Sequence, residues 1–198
     1  MTRLLLARHG ESVWHDGNRY AGRSDIALTP RGEQQARELA AWSAQAGLEA
    51  VWCSPLSRAR RTAQASAEAA GVGLSVDERL VELDFGQADG LTAAEQRERF
   101  PEARAAFEDD PAANPLPGGE DPVKAAARFL ACLREIDGGR VLVVAHTTVI
   151  RLALCALAGI PLGEYRRVFP ELDNCALTEI DPEGAIIRYN SPIQWSRP

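Results

Sequence analysis

Only three histidines occur in 198 residues, and two of them directly follow runs that read as buried strands. Arg8 and His9 come after Leu4-Leu5-Leu6-Ala7, and His146 comes after Val141-Leu-Val-Val-Ala145. Arg58 falls in the first turn or so of a helix predicted by the Ala-rich stretch up to Gly71. In an open α/β sheet, ligands bind beyond the carboxyl ends of the strands, so these four side chains converge on one edge. Guanidinium groups match the paired oxygens of a phosphate, and an imidazole can attack phosphorus or donate to its oxygens. Taken singly, an arginine after a strand is usually a solvated charge and a histidine there is usually hydrogen-bonded scaffolding. Four at one edge point to a phosphate cage.

The scaffold expected around them alternates strands with helices. Arg3 to Ala7 reads as a strand buried on both faces, and Thr29-Pro30 opens a helix that runs towards Gly47. Glu49 to Cys53 is a second strand, after which Ser54-Pro55 repeats the hydroxyl-cap-then-proline start. Leu74 to Val76 is a short third strand. Thr92 to Glu108 and Asp121 to Ile136 read as helices, with the Pro/Gly-rich stretch 111–119 between them as a lid or rim. Arg140 to Ala145 is the clearest strand, with a helix from Thr147 to Leu157 behind it. Cys175 to Ile180 and Ala185 to Tyr189 flank Asp181-Pro-Glu-Gly184 as a hairpin. The sum is an α/β three-layer sandwich, a mostly parallel sheet with an antiparallel edge, in a single domain over 1–198. Helix starts at Ser54 and Thr147 are expected to add amide donors for an anion.

Composition removes several classes of function. A net charge of −6 argues against nucleic acid as a partner, since phosphate-backbone binding needs clustered positive charge. No apolar run approaches the roughly 20 residues of a membrane span. The run at Leu4 stops at Arg8-His9, as a signal peptide would not, which gives the expectation of a soluble, cytoplasmic protein. Cys53, Cys132, Cys155 and Cys175 show no zinc-like spacing and read as buried free thiols. No metal and no cofactor are expected. The partners expected are a small phosphorylated metabolite and, at most, further copies of the chain in a homo-oligomer, with no membrane.

Leu6-Ala7-Arg8-His9-Gly10-Glu11-Ser12-Val13-Trp14 resembles the RHGE(S/T)xW signature of the histidine phosphatase superfamily, which includes the cofactor-dependent phosphoglycerate mutases. Ser54-Pro-Leu-Ser-Arg58-Ala59 with Thr62-Ala63 is similar to its SxLxRAxxTA helix, and Glu82-Leu-Asp-Phe-Gly86 to its acid motif. Gly118-Gly119-Glu120 resembles the GGE of its phosphatase branch, and Val144-Ala-His146 its second histidine. The resemblance runs from Leu4 to about Tyr189 and implies a phosphoglycerate mutase-like fold. It implies that His9 takes the phosphoryl group, that Arg8, Arg58 and a protonated His146 bind it, and that Glu82 protonates the leaving oxygen. Substrate contacts implied are Arg8, His15, Gly22, Arg58 and Thr147.

Departures from that pattern shape the expected activity. His15 stands where the family commonly has Asn, and Thr147-Thr148 follows His146 where Gly is usual. Phe85 and Ala93 replace a Tyr and a Lys that touch substrate in the mutases. Between Phe100 and Pro115 the mutases' paired arginines have no counterpart; Arg104 stands there alone among Glu102, Glu108, Asp109 and Asp110, and Arg104 or Arg61 is the candidate to stand in for the missing charge. Such an acidic stretch, lining the pocket, would repel a doubly phosphorylated intermediate. The expected activity is therefore a metal-independent phosphomonoesterase acting on small phosphorylated metabolites. A mutase and a non-catalytic phosphometabolite-binding protein are the alternatives. Arg61, three residues beyond Arg58, is a rim candidate, and Trp14, Tyr20 and Trp42 read as packing residues.

Overall fold

The computed structural model describes residues 2–181 and 183–193. In chain order its first half comprises β1 (Arg3–Arg8), α1 (Pro30–Ser43), β2 (Ala50–Cys53), α2 (Ser57–Ala70), β3 (Leu74–Val76), α3 (Ala93–Arg99) and α4 (Pro101–Asp109). The second half comprises α5 (Pro122–Glu135), β4 (Arg140–Ala145), α6 (Thr147–Ala158), α7 (Tyr165–Val168), β5 (Leu177–Ile180) and β6 (Ile186–Ser191). The sheet order is β3-β2-β4-β1-β5-β6. β3, β2, β4 and β1 are mutually parallel, β5 pairs antiparallel with β1, and β6 pairs antiparallel with β5.

Strand alternation divides the apolar residues between two cores. Leu4 and Leu6 of β1, with Val141, Val143 and Ala145 of β4, pack against Phe129 and Leu133 of α5 and Ile150 and Leu154 of α6. Leu5, Ala7, Leu142 and Val144 face the other way, onto Leu39 of α1 and Ala59, Ala63 and Ala67 of α2. Each fully buried Leu or Val contributes about 1.5–3 kcal/mol. The central strands are thus buried on both faces and can expose chemistry only at their ends. This is the three-layer α/β fold with an antiparallel edge that the sequence predicts.

Local differences from that expectation have physical causes. The helix expected over Thr92 to Glu108 is two helices, broken at Phe100 (φ −138°, ψ 60°). Pro101 has no N–H to continue the first and serves instead as the opening residue of the second. β5 begins at Leu177, two residues late, and Cys175 adopts a left-handed φ of 61°, outside the extended region. The short α7 carries too little periodicity to be read from sequence. Pro182 of the expected hairpin turn, and residues 1 and 194–198 of the expected 1–198 domain, lie outside the described residues. All four cysteines are buried and unbridged. Among the described residues no helix is long and apolar enough to cross a membrane.

Candidate active site

His9 follows β1 directly, and its backbone is fixed from three sides. Its N–H donates to Ala145 O (3.1 Å), its carbonyl accepts from Asn174 Nδ2 (2.7 Å), and the next amide, Gly10, donates to Thr62 Oγ1 (3.1 Å). Gly10 also lies so near α1 that a Cβ there would sit 2.5 Å from Gly32 O, so only glycine fits. His9 Nδ1 is 2.6 Å from Gly10 O. A carbonyl only accepts, so Nδ1 carries the proton and Nε2 keeps its lone pair. Burial, then Arg58 and Arg8, hold the His9 pKa well below its ordinary value, and the ring is neutral.

Arg58, on α2, is buried and fixed mainly by backbone. Its Nη1 donates to Ser24 O (2.8 Å) and its Nη2 to Gly22 O (3.0 Å) and Ala21 O (3.3 Å), while Nε donates to His9 Nε2 (3.2 Å). Arg8 donates from Nη1 to Leu172 O (2.8 Å), and its Nη2 meets His15 Nε2 at 2.5 Å. Burial pulls Arg8 down to about 10, high enough to keep its charge at neutral pH. His146, at the end of β4, lies with its ring 5.1 Å from that of His9. Its Nε2 is 2.8 Å from Ser54 Oγ. Burial and Arg58 hold its pKa well below the usual value, so the protonated His146 expected from the resemblance is neutral in the free site. Ser54 does not cap α2, which begins after Leu56; its hydroxyl takes the Leu56 N–H and faces His146 instead.

Glu82 comes from the loop after β3 and docks on the start of α6. Its Oε2 accepts from Thr148 N (2.9 Å), and its Oε1 accepts from Val149 N (2.9 Å) and Leu83 N (2.8 Å). At α2 the Ser57 amide is likewise taken, by Asp25 Oδ1 (2.7 Å). The two helix starts expected to offer amides to a ligand are thus already engaged by carboxylates. Thr147, the first residue of α6, lines the open space. Arg128 of α5 pins the Glu82 loop by donating to the carbonyls of Arg79, Val81 and Glu82 while pairing with Glu120 (2.8 Å). Gly118-Gly119-Glu120 therefore supports this loop: a Cβ on Gly86 would be 2.3 Å from Gly118 C.

Above His9 opens a cleft of about 330 Å³ whose walls include Arg8, Trp14, His15, Tyr20, Glu82, Phe85, Thr147, Arg151 and Arg166. His15 and Thr147 line it. Gly22 does not: its carbonyl holds Arg58, and a Cβ there would lie 2.9 Å from Leu83 O. Trp14 and Tyr20, expected as packing residues, are on the wall. Arg61 points away to solvent and pairs with Glu33. The acidic stretch of α4 is also elsewhere, Glu108 pairing with Arg97 and Arg104, so it supplies no repulsion to a ligand. Ser54, Asn174, Arg151 and Arg166 were not anticipated. Among the described residues four buried side-chain polar atoms lack a partner: Arg8 Nε, His146 Nδ1, Arg151 Nε and, distant on α2, Ser66 Oγ. Unsatisfied buried groups are rare in folded proteins, and three of these belong to residues at or beneath one cleft. No group of three or more His, Cys, Asp or Glu side chains there or elsewhere among the described residues is placed to hold a metal.

Residues 4–190 match the profile of the histidine phosphatase superfamily (branch 1). The chain belongs to that superfamily. As a superfamily member it is 34% identical over 190 residues to a probable phosphoglycerate mutase GpmB of Erwinia tasmaniensis, covering 91% of this chain and 85% of that one. It is 33% identical to phosphoserine phosphatase 1 of Hydrogenobacter thermophilus over 169 residues, 83% of this chain and 80% of the relative. Its structure is similar to that of mycobacterial glucosyl-3-phosphoglycerate phosphatase in complex with VO3, with a TM-score of 0.83 and 29% identity over 96% of this chain and 99% of that one.

Proposed function

We propose that this chain is a phosphatase that hydrolyses small phosphorylated metabolites through a phosphohistidine on His9. One observation carries the reading: buried side-chain nitrogens without partners, Arg8 Nε and His146 Nδ1, lie beside an imidazole that is unprotonated at Nε2, where only the Arg58 N–H meets it among the described residues. The phosphatases among the relatives support hydrolysis, and the VO3 complex shows that one of them takes a phosphate-like oxyanion.

In the first step His9 Nε2 bonds to phosphorus as the ester P–O bond breaks, and Glu82 gives its proton to the departing oxygen. Only one amide occupies Glu82 Oε2, so this oxygen is the one placed to carry that proton. Arg8, Arg58 and His146 hold the three peripheral oxygens, where positioning and charge stabilisation do most of the work in phosphoryl transfer. Ser54 Oγ accepts from Leu56 N and retains a hydrogen that it can give to His146 Nε2; in that tautomer the His146 proton is on Nδ1, available to a phosphoryl oxygen. In the second step water attacks phosphorus, Glu82 recovers a proton from it, and inorganic phosphate leaves His9. None of these roles uses a metal ion, so EDTA should leave turnover unchanged. The unbridged thiols suit a reducing compartment, and we read the protein as cytoplasmic.

A mutase reading is favoured by the likeness to GpmB and by a cleft free of the acidic stretch. Against it, Phe85 stands on the wall without the hydroxyl that the mutases use. A coupled assay on 3-phosphoglycerate primed with bisphosphoglycerate decides. The expected result is phosphate release from the best substrate of a metabolite panel that outpaces interconversion; the reverse order overturns the phosphatase reading.

A further inference from the structure

Beyond the phosphate cage, the cleft wall carries three more arginines that the proposed reaction does not use, and two of them, Arg151 and Arg166, pair with no carboxylate among the described residues. Arg151 lies on α6, five residues past His146, and donates from Nη2 to Pro170 O, while its Nε–H is buried without a partner. It is close enough to lower the Arg8 pKa. Arg166, on α7, donates from Nε to Tyr165 OH (2.9 Å) and from Nη2 to Tyr20 OH (3.1 Å), and stacks on Phe107 at 4.8 Å. Neither is within 4 Å of a carboxylate among the described residues, whereas Arg19 on the same wall is paired with Glu95. Arg104 marks the contrast. It shares the Tyr20 phenol and the Phe107 ring with Arg166, but Glu108 neutralises it. Two cations therefore converge on one phenol, and only one has a counter-ion. Among the described residues Glu82 is the sole carboxylate lining the cleft, and α6 and Leu83 occupy it. A half-buried charge without a partner is costly unless a ligand supplies one.

We infer that Arg151 and Arg166 form a second anion subsite, so that the substrates are phosphomonoesters carrying a further anionic group, a carboxylate or a second phosphate. This rests on the phosphatase reading above and adds the substrate class. The subsite is built from α6 and α7. It uses neither the 100–115 segment nor positions 85 and 93, where the mutases bind theirs. Tyr20, aimed by Arg104, orients Arg166.

The test compares matched pairs on the full chain: 3-phosphoglycerate against glycerol 3-phosphate, and fructose 1,6-bisphosphate against fructose 6-phosphate. The expected wild-type kcat/KM is ~10- to 100-fold higher for the more anionic member of at least one pair, the range of one or two charge-assisted hydrogen bonds. A preference in the first pair identifies a carboxylate, and one in the second a phosphate. Arg166→Met and Arg151→Met should each erase most of that preference through KM while leaving glycerol 3-phosphate or fructose 6-phosphate unchanged, and Arg166→Lys should restore part of it. Tyr20→Phe, which keeps every charge, serves if Arg166→Met does not fold; it should weaken the same preference. Equal kcat/KM within both pairs for the wild type, or variants that lose both members alike, would overturn the subsite. Calorimetric binding of the same pairs to His9→Ala reads the subsite without turnover. If no ester is hydrolysed the phosphatase reading fails, while the binding preference still decides the subsite.

Discussion

His9 and His146 are neighbouring neutral rings, and their hydrogen bonds give them different work. Gly10 O fixes the His9 proton on Nδ1 and leaves Nε2 unprotonated, facing Arg58 Nε, whereas Ser54 meets Nε2 of His146 and leaves its Nδ1 without a protein partner. His9→Ala should abolish turnover together with acid-labile, base-stable labelling of the protein by radioactive substrate. Labelling that survives would mean another nucleophile. His146→Ala removes one stabilising donor and should cost on the order of 100-fold or more in kcat while still permitting slow labelling. For Glu82 the informative contrast is between leaving groups. Glu82→Gln should slow alkyl phosphates far more than an aryl phosphate, whose phenolate departs unprotonated. The amide can still accept at one position from the α6 amides, so the helix start is only partly disturbed. Equal losses on both substrates would remove Glu82 from the proton-donor role.

Each of these groups depends on an element that holds it at the sheet edge. The clearest dependence is that of the Glu82 loop on α5, through Arg128. Its guanidinium takes three carbonyls and one carboxylate, and its side chain is only 18% exposed. Arg128→Met should cost about 2–4 kcal/mol, because buried carbonyls and Glu120 lose their donor. It should also reduce kcat on alkyl phosphates more than on aryl ones, since the acid is what the loop carries. Thermal melting and the leaving-group comparison check both; an unchanged ratio would limit Arg128 to stability. The sequence disclosed the strand ends well, because runs such as Val141 to Ala145 are buried on both faces and can stop in only one way. Arg8, His9, Arg58 and His146 were legible for that reason. Glu82 was legible only through the family resemblance, since its loop has no period. Ser54 was misread because Ser-Pro before a helix has the same local signature whether the hydroxyl caps the helix or serves a histidine. Arg151 and Arg166 were invisible because tertiary packing decides which face of a helix looks into a cleft. At Pro101 the missing N–H outranks the helical pattern on either side.

At the scale of the whole molecule, a chain of net charge −6 gathers uncompensated positive charge at one cleft and keeps every histidine there neutral. His9, His146 and His15 all have pKa values held down by burial first, and then by Arg58 or Arg8. The consequence for stability has a definite sign. Near the ordinary value of 6.5 the unfolded chain binds protons that the folded chain refuses, so the unfolded state gains as the pH falls. Stability should be full above about pH 7 and decline below 6.5, by up to about 1.4 kcal/mol per pH unit for each of the two fully buried histidines. Acidic groups act lower. Arg79 holds Asp77 below the usual 3.8, and Arg128 holds Glu120 below 4.5 although burial opposes it, so their contributions are lost only as pH falls beneath those values. The interval from pH 6.5 to 5 therefore belongs to the histidines. Urea unfolding followed from pH 8 to pH 5 should give a midpoint that is flat and then falls, and His9→Ala should make the fall shallower because one proton-refusing ring is gone. Bound phosphate should oppose it, since a dianion between Arg8, Arg58 and His146 favours the protonated ring. A midpoint that stays level down to pH 5, or a His9→Ala profile parallel to the wild type, would show that these imidazoles are not held neutral by the fold.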